Sequence, residues 1–259
     1  MFLDYEKFKD QIFRLTNIDL NSYKERQMRR RIDSLITKHH IDSYDKYVSA
    51  LKVDKDMLVE FINYITINVS EFYRNPEQWK MLENDILPYL MKRFGSNLKI
   101  WSAACSTGDE PYSLVMLMSK FFPLEKIKII ATDIDKQVLE KAQKGLYSDK
   151  FVKSLPNDYL NKFFKRIDDK TLQISDQVKA CVEFKQHNLL EDTYPNNCDL
   201  IICRNVLIYF TEEAKNDIYK KFNTSLKQDG ILFVGSTEQI IQSKSLGYDT
   251  YKSFFYKKS

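Results

Sequence analysis

Cysteine is scarce in this chain, with four among 259 residues. Cys105, Cys181, Cys198 and Cys203 form no CxxC and no spacing typical of a disulfide framework or a metal site. All four fall in or beside apolar, strand-like segments, so they read as reduced, semi-buried thiols of a cytoplasmic protein that holds no metal. Long apolar runs are missing too. None approaches the roughly 20 residues that cross a bilayer, and the opening MFLDYEKFKD lacks the basic-then-apolar order of a secretion signal. Direct membrane insertion is therefore not expected. There is no GxGxxG and no Walker lysine, which removes the key residues of dinucleotide and P-loop sites. Surplus charge is small, with 40 basic against 36 acidic residues. Its placement is uneven, because Lys24 to Arg31 holds five basic residues and one acidic one. A general nucleic-acid binder spreads its basic charge more widely. One local patch suits one local acidic partner.

Glycine and proline are absent through Asn68, and apolar residues recur there at helical spacing. The pattern predicts helices over Tyr5–Leu15, Ser22–His39, Ser43–Leu51 and Lys55–Ile67, with Ser22, Ser43 and Asp54 as N-caps. From Leu98 the texture changes to short apolar runs alternating with helical segments, which predicts a parallel sheet in an α/β domain. The expected strands are Leu98–Ala103, Ile127–Thr132, Val182–His187, Cys198–Cys203 and Ile231–Val234, with Ser253–Lys257 as a final edge strand. Helices are expected over Glu110–Phe122, with Pro111 in its first turn, from Lys136 to Lys144, and over Glu212–Leu226. The polar stretch of about 154–180, with its alternating Thr171–Val178, reads as a small inserted β-subdomain. Domain boundaries are set at 1–73 and 74–259, the linker falling within Arg74–Asn97.

Four segments carry chemistry. In Ile100–Ser113 a strand ends in small residues (Ser-Ala-Ala-Cys-Ser-Thr-Gly) and turns directly into a helix. Small side chains let a ligand approach the backbone at the carboxyl end of a strand, where open parallel sheets bind ligands. A plain tight turn would look the same, but Asp109 and Glu110 put two carboxylates where a pyrophosphate would sit. Such a loop disfavours a polyanion and suits a cationic ligand such as S-adenosylmethionine. In Ala131-Thr-Asp-Ile-Asp135, Asp133 lies twenty-five residues after Gly108, near the separation at which an acidic residue grips ribose hydroxyls. Asp135 is better placed as a helix N-cap. The buried run Cys198–Cys203 opens into Arg204-Asn205, and a charge at the carboxyl end of a central strand belongs at a ligand crevice. Tyr209 and the segment Thr66–Arg74, taken alone, read as packing and a capped helix end.

Together, Thr66–Arg74, Trp101–Ser113, Thr132–Asp135, His187–Leu190, Cys203–Phe210 and Gly235–Glu238 resemble, in order and spacing, the motifs of CheR-type chemotaxis-receptor methyltransferases. The resemblance covers nearly the whole chain, and the combination INVSEFYR, WSAACSTG, CRNVLIYF and VGSTEQ is specific. It implies a class I, Rossmann-like methyltransferase sheet, an N-terminal all-helical receptor-recognition domain and a small inserted β-subdomain. It also implies S-adenosylmethionine as cofactor, with S-adenosylhomocysteine as product. Matched by motif position, Asn68, Ser70, Arg74, Ala103, Glu110, Asp133, Asn188, Leu189, Arg204 and Asn205 line that site, and Arg74 and Tyr209 lie near the transferred methyl. GDEP here replaces the GEEP of many members, which keeps the charge. The turn Lys165-Arg-Ile-Asp-Asp-Lys-Thr171 lacks the glycine of members that tether to a receptor's C-terminal peptide, so no tether is expected.

The implied partner is the cytoplasmic helices of a methyl-accepting chemotaxis receptor, met by a monomer. The acceptor is a glutamate γ-carboxylate, already ionised at neutral pH with a reference pKa of about 4.3. No general base is needed, so none of His39, His40 and His187 has to be catalytic. On a helical wheel Met28, Ile32 and Leu35 share one side. Arg26 and Arg30 point away from them with Arg29 and Arg31 flanking, either a solvated face or a docking surface for acidic receptor helices. Two further readings stand beside this one: a class I methyltransferase acting on RNA or a small molecule, and a non-catalytic sensor of S-adenosylmethionine.

Overall fold

A computed structural model describes residues 4–259. The backbone divides into two compact units, one running through Asn68 and including Leu207–Asp217, the other comprising Val69–Val206 and Ile218–Ser259.

The first unit is built on helices α1 (Tyr5–Thr16), α2 (Glu25–Lys38), α3 (Tyr44–Val53) and α4 (Lys55–Thr66). The Ser43 hydroxyl accepts the Lys46 N–H, and Asp54 accepts those of Asp56 and Met57, so the two expected caps start α3 and α4. α1 packs on α3, and α4 packs on both α2 and α3. Phe8 stacks on Tyr44 with ring centroids 4.6 Å apart and meets Phe61 edge-on at 6.3 Å. Met28, Ile32 and Leu35 turn inward from α2 and are buried. Ser22 caps nothing, however. A 3-10 turn spans Leu20–Ser22, and α2 begins only at Glu25. The intervening backbone is used elsewhere in this unit, where Tyr23 bridges Phe210 in antiparallel fashion and the Ser22 carbonyl accepts the Thr211 N–H.

The second unit opens with α5 (Pro76–Met81), which continues through a π-helical turn at Leu82–Ile86 into α6 (Leu87–Phe94). The expected linker is therefore a core element. Trp79, Leu82, Ile86, Leu87 and Leu90 are buried, a spacing that follows the helical period. Then come β1 (Ile100–Ala103), α7 (Asp109–Met118), β2 (Ile129–Asp133) and α8 (Lys136–Lys144). A small antiparallel sheet follows, made of β3 (Leu146–Ser148), β4 (Phe164–Arg166) and β5 (Thr171–Ile174) in the order β3-β5-β4, with α9 (Asn157–Phe163) and α10 (Asp176–Lys179) beside it in sequence. This subdomain takes its first strand from upstream of residue 154. The alternation expected to continue to Val178 stops at Ile174, because the Ser175 hydroxyl caps α10.

The remaining elements are β6 (Val182–Gln186), β7 (Cys198–Cys203), α11 (Glu212–Ser225), β8 (Leu226–Val234), β9 (Tyr248–Lys252) and β10 (Phe255–Lys258). The main sheet has the order β6-β2-β1-β7-β8-β10-β9. Its first five strands are parallel, β10 runs antiparallel between β8 and β9, and β9 is the edge. The final strand is thus interior rather than an edge. Phe255 makes it so, being fully buried and stacked on Phe233 of β8 at 4.1 Å. Strands covered on both faces need continuous apolar sequence, and all six residues of β7 are buried. β1 pairs with β2 on one side and β7 on the other. The winding reverses there, and open parallel sheets bind ligands at the carboxyl ends of such strands.

Among the described residues no helix is long and apolar enough to cross a membrane. Cys105, Cys181, Cys198 and Cys203 are buried free thiols.

Candidate active site

Four strands of the second unit deliver the chemistry-bearing residues at their carboxyl ends. β1 ends at Ala103 and passes through Ala104–Gly108 into α7, so Asp109 and Glu110 open that helix. β2 ends at Asp133, β6 leads into His187-Asn188-Leu189, and β7 leads into Arg204-Asn205. The backbone is strained along these segments. Tyr73, Asn75, Ala104, Ser106 and Asn205 all have positive φ, between 48° and 61°, a state costing a non-glycine residue about 1–3 kcal/mol and concentrated at functional sites. Gly108 has φ 88°, and a Cβ there would stand 2.9 Å from that of Ala142. Only glycine fits the turn.

Asp133 holds this loop. One carboxylate oxygen accepts the Ser106 N–H at 2.8 Å and the other accepts the Asp135 N–H at 3.0 Å. The Ile134 N–H is also drawn to this carboxylate, and its four lone pairs leave room for one more donor such as a ribose hydroxyl. Asp135 accepts the Gln137 N–H and caps α8, the role its position suggested. Burial pushes the Asp133 carboxyl up to about 6, against the pull of these N–H donors. Asp109 is likewise raised to about 6 by burial, although the Thr107 hydroxyl donates to it. Its other oxygen is buried without a partner, and the Ser70 side chain lies close enough to favour the ionised form.

Glu110 accepts the Ser102 hydroxyl at 2.8 Å and faces Arg204 at 3.6 Å, with the arginine side chain 2% exposed. Burial raises the Glu110 pKa, and Arg204 counteracts it. The Arg204 guanidinium lies over the rings of Phe233 (4.8 Å) and Trp79 (5.6 Å). Its Nη2 donates to the Arg74 carbonyl (2.7 Å), to Gln78 Oε1 (2.6 Å) and to Asn75 Oδ1 (3.2 Å). The half-buried Arg74 side chain reaches the Val69 carbonyl at 3.3 Å. On the other side of the sheet's switch point, the His187 N–H bonds the Asp133 carbonyl. The Asn188 side chain accepts the Leu190 N–H, and the Tyr194 hydroxyl donates to the Leu189 carbonyl.

The expected site residues Ser70, Arg74, Ala103, Glu110, Asp133, Asn188, Leu189, Arg204 and Asn205 thus belong to the second unit, where Arg204 pairs with Glu110 and bonds the Arg74 backbone. Asn68, Tyr209 and the four arginines of α2 belong to the first. There Asn68 bonds the Thr66 hydroxyl, and the Tyr209 carbonyl accepts the Lys24 N–H at 2.8 Å. Arg26 and Arg30 are exposed. Arg29 instead lies 4.8 Å over the Tyr5 ring, and Arg31 lies 4.5 Å over Tyr64 while donating to the Tyr64 carbonyl at 2.5 Å.

Two further residues are bonded into the site without having been singled out as site residues, Gln78 and Glu238. Gln78 sits in a helix read as linker, and nothing local marks it. Glu238 lies in a matched motif, yet only the fold reveals that its carboxylate accepts the Asn205 and Val206 N–H groups.

The donor set fits a ligand carrying positive charge and an adenosine. Asp109, Glu110 and Asp133 supply carboxylates, and buried polar atoms of Ser106 and Asn205 lack partners within the protein. The seven-stranded sheet of this order, with acidic residues at the carboxyl ends of β1 and β2, has the class I, Rossmann-like methyltransferase fold. Residues 68–252 match the CheR methyltransferase, SAM binding domain, and residues 3–66 match the CheR methyltransferase, all-alpha domain. The chain is 41% identical over 256 residues to the chemotaxis protein methyltransferase of Listeria monocytogenes, covering 99% of this chain and 97% of that one. It is 34% identical over 259 residues to the chemotaxis protein methyltransferase of Borreliella burgdorferi, covering 93% and 92%. The chain belongs to the CheR methyltransferase family.

Proposed function

We propose that the protein transfers the methyl group of S-adenosylmethionine to glutamate side chains on the cytoplasmic helices of chemotaxis receptors, forming methyl esters in the cytoplasm. The observation that carries this reading lies in the first unit. α2 presents Arg26 and Arg30 to solvent, and the Lys24 N–H just before it bonds the Tyr209 carbonyl. Tyr23 stacks on Phe210 at 4.6 Å beside that bond. A basic docking helix and Tyr209 are therefore held together, which suits an acceptor helix that brings its glutamate to Tyr209.

The cofactor supplies an electrophilic methyl on a cationic sulfur. Asp133 accepts ribose hydroxyls, and Glu110 offers its carboxylate to the ammonium group. Asn188 and Leu189 frame the adenine, with Ser70, Ala103 and Asn205 completing the lining. The acceptor carboxylate is already ionised, so the protein need only hold its oxygen in line with the methyl carbon and the sulfur. Opposite charges cancel along this path. A strong ionic grip on the acceptor would stabilise the ground state more than the transition state. Arg74 accordingly serves to orient the acceptor through hydrogen bonds, the part that the family resemblance also gives Tyr209.

The test is incubation with tritiated S-adenosylmethionine and receptor-bearing membranes, followed by alkali. Volatile label in the receptor fraction is expected, since esters release methanol. Label that resists alkali, or that enters RNA or small molecules, would overturn the assignment.

A further inference from the structure

Glu238 is 5% exposed and lies just beyond β8. Its Oε2 accepts the N–H groups of Asn205 (2.5 Å) and Gly235 (2.9 Å), and its Oε1 accepts that of Val206 (2.9 Å). Asn205 has φ 61°. Two successive N–H groups at a left-handed residue form a concave anion-binding turn, and here the anion is a side chain of the same protein. A buried charge is tolerated when its lone pairs are filled in this way. The turn follows Arg204, whose guanidinium carries the Arg74 backbone. Gly235 leaves room for the arrangement, because a Cβ there would stand 2.5 Å from Glu238 Oε2 and 2.8 Å from the Asn205 nitrogen.

Charge adds a second effect. Glu238 lies close enough to Glu110 to raise its pKa, and close enough to Arg204 to favour its cation. Arg204 faces Glu110 directly, and the Arg74 charge also reaches Arg204, so two cations and two carboxylates share the cluster.

We propose that Glu238 is a positioning residue for cofactor binding, fixing the Arg204–Val206 turn by closing its N–H groups on a buried carboxylate. It acts through Arg204 and Asn205, and this role rests on reading those residues as part of the cofactor site. Glu238→Gln keeps size and one acceptor but presents an amide donor to N–H donors. Gly235→Ala leaves the carboxylate intact and wedges it from the turn.

Three measurements on the full chain test this role. In wild type, the Asn205 and Val206 amides exchange hydrogen as slowly as those of β7. In each variant those amides exchange at least ten-fold faster, while the β1 and β2 amides stay protected. Calorimetric titration with S-adenosylhomocysteine gives a Kd at least ten-fold weaker in each variant. Should one variant fail to fold, the other decides. Fast exchange of the two amides in wild type, or an unchanged Kd in a variant whose turn has loosened, would overturn the proposal. Failure of wild type itself to bind S-adenosylhomocysteine would instead count against the reading of the site.

Discussion

Arg204 donates a hydrogen bond of 2.7 Å from its Nη2 to the carbonyl oxygen of Arg74, 130 residues away in sequence. The same guanidinium faces Glu110 and lies against the rings of Trp79 and Phe233. A single cation thus ties the segment before α5, the first turn of α7 and the end of β7 into one piece.

Replacing Arg204 with alanine leaves Gln78 buried with its partner gone and the part-buried Glu110 without its counter-charge. The expected loss of folding stability is about 3–5 kcal/mol, the usual cost of breaking one side of a buried ion pair. Arg204→Lys retains charge but lacks the planar fork that reaches three acceptors, so it recovers only part of that loss. Urea denaturation of the three proteins measures this. An alanine variant within about 1 kcal/mol of wild type, the worth of an exposed pair, would show that the cluster carries little energy.

Arg74 differs from Arg204 in having a half-buried side chain whose bond, to Val69, is long. Arg74→Ala is expected to leave the melting temperature close to wild type while methylation falls sharply. Comparable turnover in the variant would reduce Arg74 to a helix-end residue.

Cofactor binding is expected to depend on acidity in a direction set by Asp109 and Asp133, both raised by burial from 3.8 to about 6. The folded protein holds these two protons more tightly than the unfolded chain does. Between about pH 4 and pH 6 the pair therefore lowers folding stability as pH rises. A cationic ligand favours the ionised carboxylates. Affinity for S-adenosylmethionine should accordingly rise with pH through 6 and level off above it, with protons released on binding near pH 6. Calorimetry in buffers of different ionisation heat counts those protons, and a count of zero at pH 6 would remove both groups from the linkage.

The arginines of α2 separate into two pairs. Arg26 and Arg30 are exposed, so replacing both with alanine should lower kcat/KM on receptor membranes and flatten its salt dependence. Such steering is screened beyond about 8 Å at physiological salt. Affinity for S-adenosylhomocysteine should not change. Arg31→Ala instead removes a cation–π contact and a hydrogen bond to the Tyr64 carbonyl, and should cost roughly 1–2 kcal/mol of stability. Rate measurements across a salt series together with thermal melts distinguish the pairs. Parallel salt curves of equal height would make the Arg26 and Arg30 face merely a solvated one.

The helical first segment, the parallel strands and the turn at Ala104–Gly108 were legible in the sequence, because each depends on local periodicity or on a backbone conformation that few residues allow. The sequence also placed Asp133 at the carboxyl end of the second strand and Asp135 as a cap for the same reason, since caps act within one turn. Tertiary structure alone decided the rest. The stretch after Arg74 became core because Trp79, Leu82, Ile86, Leu87 and Leu90 found an apolar surface to cover, although their spacing was already helical. β10 went inside the sheet because Phe255 met Phe233. Arg29 and Arg31 lie against aromatic rings that the fold brought within reach. Gln78 and Glu238 acquired partners 126 and 33 residues distant. Hydrogen bonds of that span leave no period in the sequence. They form only once the sheet has brought the strand ends together, and burial then makes each unfilled donor or acceptor too costly to leave open.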